Sequence, residues 1–308
     1  MITIIGAGPA GCLLGILLAQ RGIEVDLYER RPDPRCTAPA AGRSINLALA
    51  ARGIRALRAA GLMDALTPSL VKMRGRMLHE TGKPDRFNAC GQRQRGGSWS
   101  VPRATLTALL TEAAAAQPGL RLHFEQQCLG YRGNGVLDMR DLRDNRDHEL
   151  RAQRIVAADG AGSELRHALA ALHGFNVTEA RLPHDYKELL IPLANDRPPL
   201  AMDALHIWPR GGFMLIALPN ADGSFTATLF LPRQSDQGAS STALPACRNS
   251  SRRIFPMWCR SSRILPRSSP RIRRACSARS TARSGTMRKP CCWSVMPRMP
   301  SCPSMARA

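Results

Sequence analysis

No apolar run in this 308-residue chain approaches the roughly 18 residues that a membrane-spanning helix needs. Nor does a charged segment followed by a cleavable apolar stretch open it, so the chain reads as soluble and cytoplasmic, with no membrane segment. Its ten cysteines show no paired C-x-x-C spacing, which argues against a zinc centre. In a cytoplasmic chain they argue against a disulfide framework too, and no metal-ligand set is expected. Acids are almost missing from one region: residues 236–308 hold 15 Lys or Arg against the single acid Asp236, together with six of the ten cysteines. Residues 1–235 hold 29 basic against 22 acidic side chains, so the net charge of +21 is not spread as in a uniformly basic nucleic-acid binder. The chain is long enough for two lobes around a real core up to about residue 235, with a compositionally foreign segment behind it.

What is present is concentrated in the first thirty residues. Residues 1–5 read as a buried strand, and Gly6-Ala7-Gly8-Pro9-Ala10-Gly11 has the G-x-G-x-x-G spacing that turns tightly and lets backbone N–H groups approach a pyrophosphate. Apolar residues 12–19 continue a helix whose N-terminus faces the phosphates, and Gly22 stops it. Residues 23–28 alternate as a second strand before Glu29, an acid 18 residues beyond Gly11, where a carboxylate accepts ribose hydroxyls. A lone glycine motif is weak, but strand, turn, helix, strand and acid in this order point to a dinucleotide. The bland alternative is a tight βα turn with no ligand. Glu29, in place of a basic residue, favours an unphosphorylated ribose and hence FAD or NAD over NADP.

Further along, residues 42–50 look like a loop feeding a helix that runs through Leu57, and residues 106–116 have helical composition stopped by Pro118-Gly119. Residues 120–124 and 154–158 read as strands. The second runs into Asp159-Gly160-Ala161-Gly162-Ser163, another loop able to turn backbone toward phosphates. Strands at 188–193, 212–218 and 225–231 are punctuated by Pro and Gly with no long helix between them, which predicts an antiparallel sheet as a second layer.

An N-terminal fingerprint, a late Asp-Gly loop and an intervening sheet together resemble the single-component FAD-dependent aromatic hydroxylases. Four blocks look like the kynurenine 3-monooxygenase family among them: Gly42-Arg43-Ser44-Ile45-Asn46-Leu47, Met73-Arg74-Gly75-Arg76-Met77-Leu78-His79, Tyr186-Lys187-Glu188-Leu189 and Leu205-His206-Ile207-Trp208-Pro209-Arg210-Gly211. The resemblance covers residues 1 to about 234. It implies an α/β fold in which an N-terminal FAD-binding, Rossmann-like, doubly wound domain (1–70 and 100–178) carries an inserted antiparallel β-sheet substrate domain (71–99 and 179–235).

The resemblance also implies FAD as cofactor, NADPH and O2 as co-substrates and L-kynurenine as substrate, with no nucleic-acid partner. It says nothing of oligomeric state. The cofactor carries the chemistry in such enzymes, so no side chain is expected as a catalytic residue. By the same resemblance Gly6, Gly8, Gly11 and Glu29 hold the adenosine half of FAD, Arg103 and Asp159 approach the rest of it, and Ala10 and Arg30 are cofactor-binding as well. Asp159 has the alternative of a turn residue capping its own backbone. Arg76 matches the arginine that holds the substrate carboxylate, where a planar guanidinium makes two parallel bonds. Its alternative is a surface arginine among neighbours such as Arg74. Asn88-Ala89-Cys90-Gly91 stands where the family has a Pro-Tyr-Gly sequence, so Cys90 replaces a substrate-contacting phenol. His206, Trp208 and Phe230 read as core or sheet-packing residues, and Tyr186 is left open between core and site.

The second half of the flavin site, a Gly-Asp motif at a helix start and a Pro- and Gly-rich loop, is missing from residues 236–308 as written. Read one nucleotide out of register, residues 292–308 permit LLVGDAAHAIVPFHGQG, with the Ala after Met296 and Met299 and the Gly after Met305 forced. Residues 254–260 permit DFPDVVP and residues 275–281 permit GLLGTLD, both resembling the family in the correct order. The expectation is a frameshift shortly after Gln234, leaving an aberrant basic tail that is disordered. Two alternatives stand beside it: a related flavin hydroxylase of another aromatic acid, and a non-catalytic fragment whose arginine-rich tail binds nucleic acid.

Overall fold

β1 (Ile2–Ile5), α1 (Pro9–Ala19) and β2 (Val25–Glu29) follow the expected order in this computed structural model, which describes residues 1–36, 45–90, 97–178, 180, 182 and 184–232. The basic tail with its expected disorder and frameshift, the Gly42-Arg43-Ser44 part of the first of the four blocks, and Gly91 lie outside the described residues. Proline at its first position pre-sets α1, and Gly22 with φ +73° turns the chain after it. β2 starts two residues later than expected and does not alternate, because both of its faces are covered.

Residues 46–50 were expected in a loop, but β3 (Asn46–Leu49) is a strand, followed by α2 (Ala51–Ala59) and the short α3 (Met63–Leu66). β4 (Val71–Met73), β5 (Gly75–Leu78), β6 (Arg86–Ala89) and β7 (Ser98–Pro102) come next. β3, β7 and β4 form a small antiparallel sheet that takes strands from both sides of the expected division at residue 70. α4 (Arg103–Ala115) begins three residues before its apolar stretch, and β8 (Leu120–Phe124) follows. The hairpin strands β9 (Gln126–Gly133), β10 (Val136–Asp141) and β11 (Arg146–Arg151) are joined at Asn134-Gly135, where both residues have positive φ, and at Asn145, also with positive φ. β12 (Ile155–Ala157) leads into α5 (Glu164–His173), whose N-terminus is capped by Ser163 Oγ accepting from the Arg166 N–H at 3.0 Å.

The order β12-β1-β2-β8 makes a four-stranded parallel sheet. One face packs Ile4, Val25, Leu27 and Leu120 against Cys12 and Ile16 of α1 and Leu106 and Leu110 of α4. On the other, Ile5 and Tyr28 meet Cys128, Leu137 and Met139 of the three-stranded meander. A Cβ at Gly15 would come 2.9 Å from a methyl of Leu120, so the glycine lets α1 lie close on the sheet. Burying each such leucine or isoleucine contributes roughly 1.5–3 kcal/mol.

The remaining strands, β13 (His184–Ile191), β14 (Ala204–Arg210), β15 (Phe213–Pro219) and β16 (Phe225–Pro232), join β5 and β6 in a six-stranded sheet ordered β13-β16-β15-β14-β5-β6. The sheet is antiparallel apart from the parallel β14–β5 pair, which brings residues 75–89 beside residues 204–232. Asn46 ties the layers together. Its Nδ2 donates to Ser100 Oγ at 2.9 Å, the Pro219 carbonyl at 3.3 Å and Asn220 Oδ1 at 2.7 Å.

Candidate functional site

The glycine turn is fixed by three different contacts. Gly6 leaves β1 with φ +106°, and a Cβ there would sit 2.4 Å from the Ala158 carbonyl oxygen and 2.7 Å from the Asp159 nitrogen. The Gly6 N–H donates to the Tyr28 carbonyl at 2.7 Å, which ties the turn to β2. At Gly11 a Cβ would lie 1.9 Å from the Gly6 carbonyl oxygen, so only glycine lets the first turn of α1 fold back on the strand end. Gly8 is the N-cap of α1 and makes no side-chain cap bond; a Cβ there would meet nothing within 4 Å. The open space therefore lies where backbone donors of an eleven-residue helix begin.

Glu29, at the end of β2, is nearly fully buried. Its Oε2 accepts from the Ala7 N–H at 2.9 Å, so this side chain belongs to the glycine turn as well as to the strand. Burial pushes its pKa up. The hydrogen bond and charge of Arg31, with the backbone N–H groups of Arg31 and Ala7, outweigh burial and hold it below the usual carboxylate range. Asp159 is half-buried, with its backbone nitrogen against Gly6. Gly6, Gly8, Gly11, Glu29 and Asp159 thus converge at the C-terminal ends of β1, β2 and β12. Ala10 and Arg30 border this cluster and are exposed. Arg103 is an exposed residue at the start of α4 whose N–H donates to the Ile45 carbonyl at 3.0 Å, at the end of the small sheet.

Arg76 lies in β5 of the six-stranded sheet, and Cys90 directly follows β6. Arg76 pairs with Leu205 on one side and Asn88 on the other, and the Cys90 N–H donates to the Arg74 carbonyl at 2.9 Å. Alternation places Arg76 on the face opposite the core cluster of Trp208, Leu215, Ala217, Phe225 and Ala227. The same face carries Leu78, Leu205, Ile207, Ile216 and Thr228. Arg76 is half-buried and has no side-chain ion pair among the described residues, whereas Arg74 pairs with Asp203. His206 and Trp208 are buried, and His79 stacks on Trp208 with centroids 4.4 Å apart. Phe230 is half-buried and Tyr186 exposed; their rings lie 6.5 Å apart, on β16 and the edge strand β13.

Two residues were given no role by sequence reasoning, although Asn46 lies in one of the blocks that carry the resemblance. Arg31 closes over Glu29, with Nε 2.8 Å from Oε1 and Nη2 3.2 Å from Oε2, a contact at i+2 that no motif encodes. Asn46 is buried, and its Oδ1 has no hydrogen-bond partner among the described residues.

The profile of the FAD binding domain family matches residues 1–257. The chain is 46% identical over 235 residues to a kynurenine 3-monooxygenase of Xanthomonas campestris, which covers 76% of this chain and 51% of that protein. It is 45% identical over 237 residues to a kynurenine 3-monooxygenase of Stenotrophomonas maltophilia, covering 76% and 52%. The chain spans about half the length of these curated relatives. Among solved structures, a probable FAD-dependent monooxygenase from Pseudomonas aeruginosa superposes with TM-score 0.62 at 20% identity, covering 83% of this chain and 66% of that one. A flavoprotein/dehydrogenase from Cytophaga hutchinsonii superposes with TM-score 0.60 at 19% identity, covering 81% and 60%. The fold is therefore that of flavin monooxygenases, and the chain belongs to the FAD binding domain family.

Proposed function

We propose that the protein is an FAD-dependent aromatic-ring hydroxylase of the kynurenine 3-monooxygenase type, acting in the cytoplasm. The reaction is L-kynurenine, NADPH, H⁺ and O2 to 3-hydroxy-L-kynurenine, NADP⁺ and water. The observation that carries the cofactor assignment is the cradle at Gly8, where a side chain would fill open space at the start of α1 beside a buried carboxylate. Backbone N–H groups of that first turn would hold the pyrophosphate, and Glu29 the adenosine ribose. Arg30, Arg103 and Asp159 would border the remainder of the cofactor. When bound, FAD supplies the transfer of reducing equivalents from NADPH to O2 and of one oxygen atom to the ring.

Arg76 would orient the substrate. A half-buried guanidinium without an ion pair among the described residues, on an apolar sheet face, can make two parallel bonds to an amino-acid carboxylate. Leu205, Ile207 and Ile216 on that face would exclude water from the aromatic ring. Cys90 in place of a tyrosine removes one hydrogen bond and some ring contact from such a pocket. The two-part organisation at 1–70 with 100–178, and 71–99 with 179–235, assigns the parallel sheet to cofactor and the six-stranded sheet to substrate. The out-of-frame reading of the tail implies that the chain as written is impaired in the reactive half of the cofactor site. Retention of FAD by the protein after a base change near codon 235, with kynurenine-stimulated NADPH oxidation and 3-hydroxykynurenine formation, is the test; NADPH oxidation stimulated by another aromatic acid alone would select the alternative substrate class.

A further inference from the structure

A carboxylate offers about four acceptor positions. Four donors of this chain already stand on Glu29: the Ala7 N–H at 2.9 Å and Arg31 Nη2 at 3.2 Å on Oε2, and the Arg31 N–H at 3.0 Å and Nε at 2.8 Å on Oε1. Two of these are backbone donors, which cannot withdraw without opening the glycine turn or the end of β2. The other two belong to one guanidinium on a side chain that is 55% exposed, against 8% for that of Glu29. The vicinal diol of a ribose needs two acceptor positions, and the guanidinium holds two.

We propose that Arg31 is a latch on the ribose carboxylate, released when the 2′- and 3′-hydroxyls of an adenosine diphosphate moiety exchange with its guanidinium on Glu29. This rests on the FAD-binding reading above and adds a specificity-setting residue to it. The opposite role, a positioner that holds Glu29 ready for the ribose, is redundant here. The carboxylate is already fixed by the Ala7 N–H, by the Arg31 backbone and by burial at the end of the strand. A latch makes every hydroxyl–carboxylate bond an exchange for an existing charge-assisted one, so the hydroxyls add less affinity than their bonds alone would give.

Overall affinity does not isolate this effect, because the cation also attracts phosphates. A cycle between the side chain and the diol does. Binding of ADP and of 2′,3′-dideoxy-ADP to the full 308-residue chain and to Arg31→Gln is measured by calorimetry, with thermal melts to confirm folding. The ratio of the two affinities should rise about three- to tenfold in Arg31→Gln. Arg31→Lys, whose ammonium holds one oxygen at a time, should give an intermediate rise. An unchanged or smaller ratio overturns the latch. If Arg31→Gln does not fold, the Arg31→Lys ratio decides alone: above the unsubstituted chain it supports the latch, equal or below it overturns it. Absence of ADP binding to the unsubstituted chain removes the nucleotide reading and this inference with it, whereas binding with an unaltered ratio removes only the latch.

Discussion

Gly8 and Gly11 stand three residues apart in one motif, yet substitution should separate their roles. A Cβ at Gly11 collides with backbone at 1.9 Å, so Gly11→Ala must open the turn and should cost about 1–3 kcal/mol or more, roughly 2–4 °C of Tm per kcal/mol. Gly8 has φ −69°, which alanine adopts without strain, and its Cβ would project into free space. Gly8→Ala should therefore melt within a few degrees of the unsubstituted chain, while FAD or ADP affinity falls, read by flavin fluorescence or calorimetry. At the second sheet, Arg76→Lys in a frame-restored protein should raise KM for the amino-acid substrate with flavin binding intact. The lost bidentate bond corresponds to roughly 1.5–3 kcal/mol, so KM rises about tenfold or more. Unchanged kinetics would return Arg76 to the surface-arginine alternative.

At the level of elements, β5 and β14 are joined by more than their ladder. His206 Nε2 faces the Ala201 carbonyl at 2.8 Å, which only accepts, so its Nδ1 accepts in turn from His79 Nε2 at 2.9 Å. His79 Nδ1 lies 2.8 Å from Asp85 Oδ1, completing a chain from the β5–β6 hairpin to β14. Burial, with a smaller contribution from neighbouring His79, holds the pKa of His206 below the ordinary histidine value, against the Ala201 carbonyl and the charges of Asp85 and Asp203. The unfolded chain therefore binds this proton more readily. The resulting stability is present above about pH 6.5, the unfolded value, and is lost as pH falls toward the folded one. Urea midpoints between pH 7.5 and 5.5 should fall with pH in the unsubstituted chain and less steeply in His206→Gln; equal slopes would assign the dependence elsewhere. Asp26 and Glu29, whose pKa values are lowered by Arg121 and His123 and by Arg31, add a loss in the same direction in the carboxylate range below about pH 5.

The same contrast explains what could be read in advance. The bonds that tie Gly6 to Tyr28 and Ala7 to Glu29 lie within one βαβ unit, so turn, helix and acid are legible from spacing alone, whereas the approach of Gly6 to Ala158 and Asp159 is not. The β14–β5 pairing links residues more than 120 positions apart, and no local pattern announces it. β3 fails as a sequence expectation for the same reason, since a four-residue segment becomes a strand only by pairing with β7. The Asn134-Gly135 turn, by contrast, joins β9 and β10 and carries a local hairpin signature that the sequence expectations left unused.

For the whole molecule the decisive variable is the reading frame of its last quarter. Residues 236–308 hold one acid and 15 basic side chains, so their charge offers phosphates a non-specific attraction whether or not they complete an enzyme. Retardation of DNA that vanishes with salt would thus accompany any such tail and does not distinguish the readings. Cofactor retention does. On the proposed function the glycine turn, Glu29 and the loop at Ala158-Asp159 supply the nucleotide cradle, so the chain as written should bind ADP about as well as the frame-restored protein. FAD should be held more tightly only by the restored form, because the segment permitted out of frame by residues 292–308 is the one that would meet the isoalloxazine half. A single-base change near codon 235 should therefore increase FAD affinity without changing ADP affinity, and should bring hydroxylated product with it. Equal FAD affinity and turnover in the 308-residue chain would show that the basic segment completes the site in its present frame.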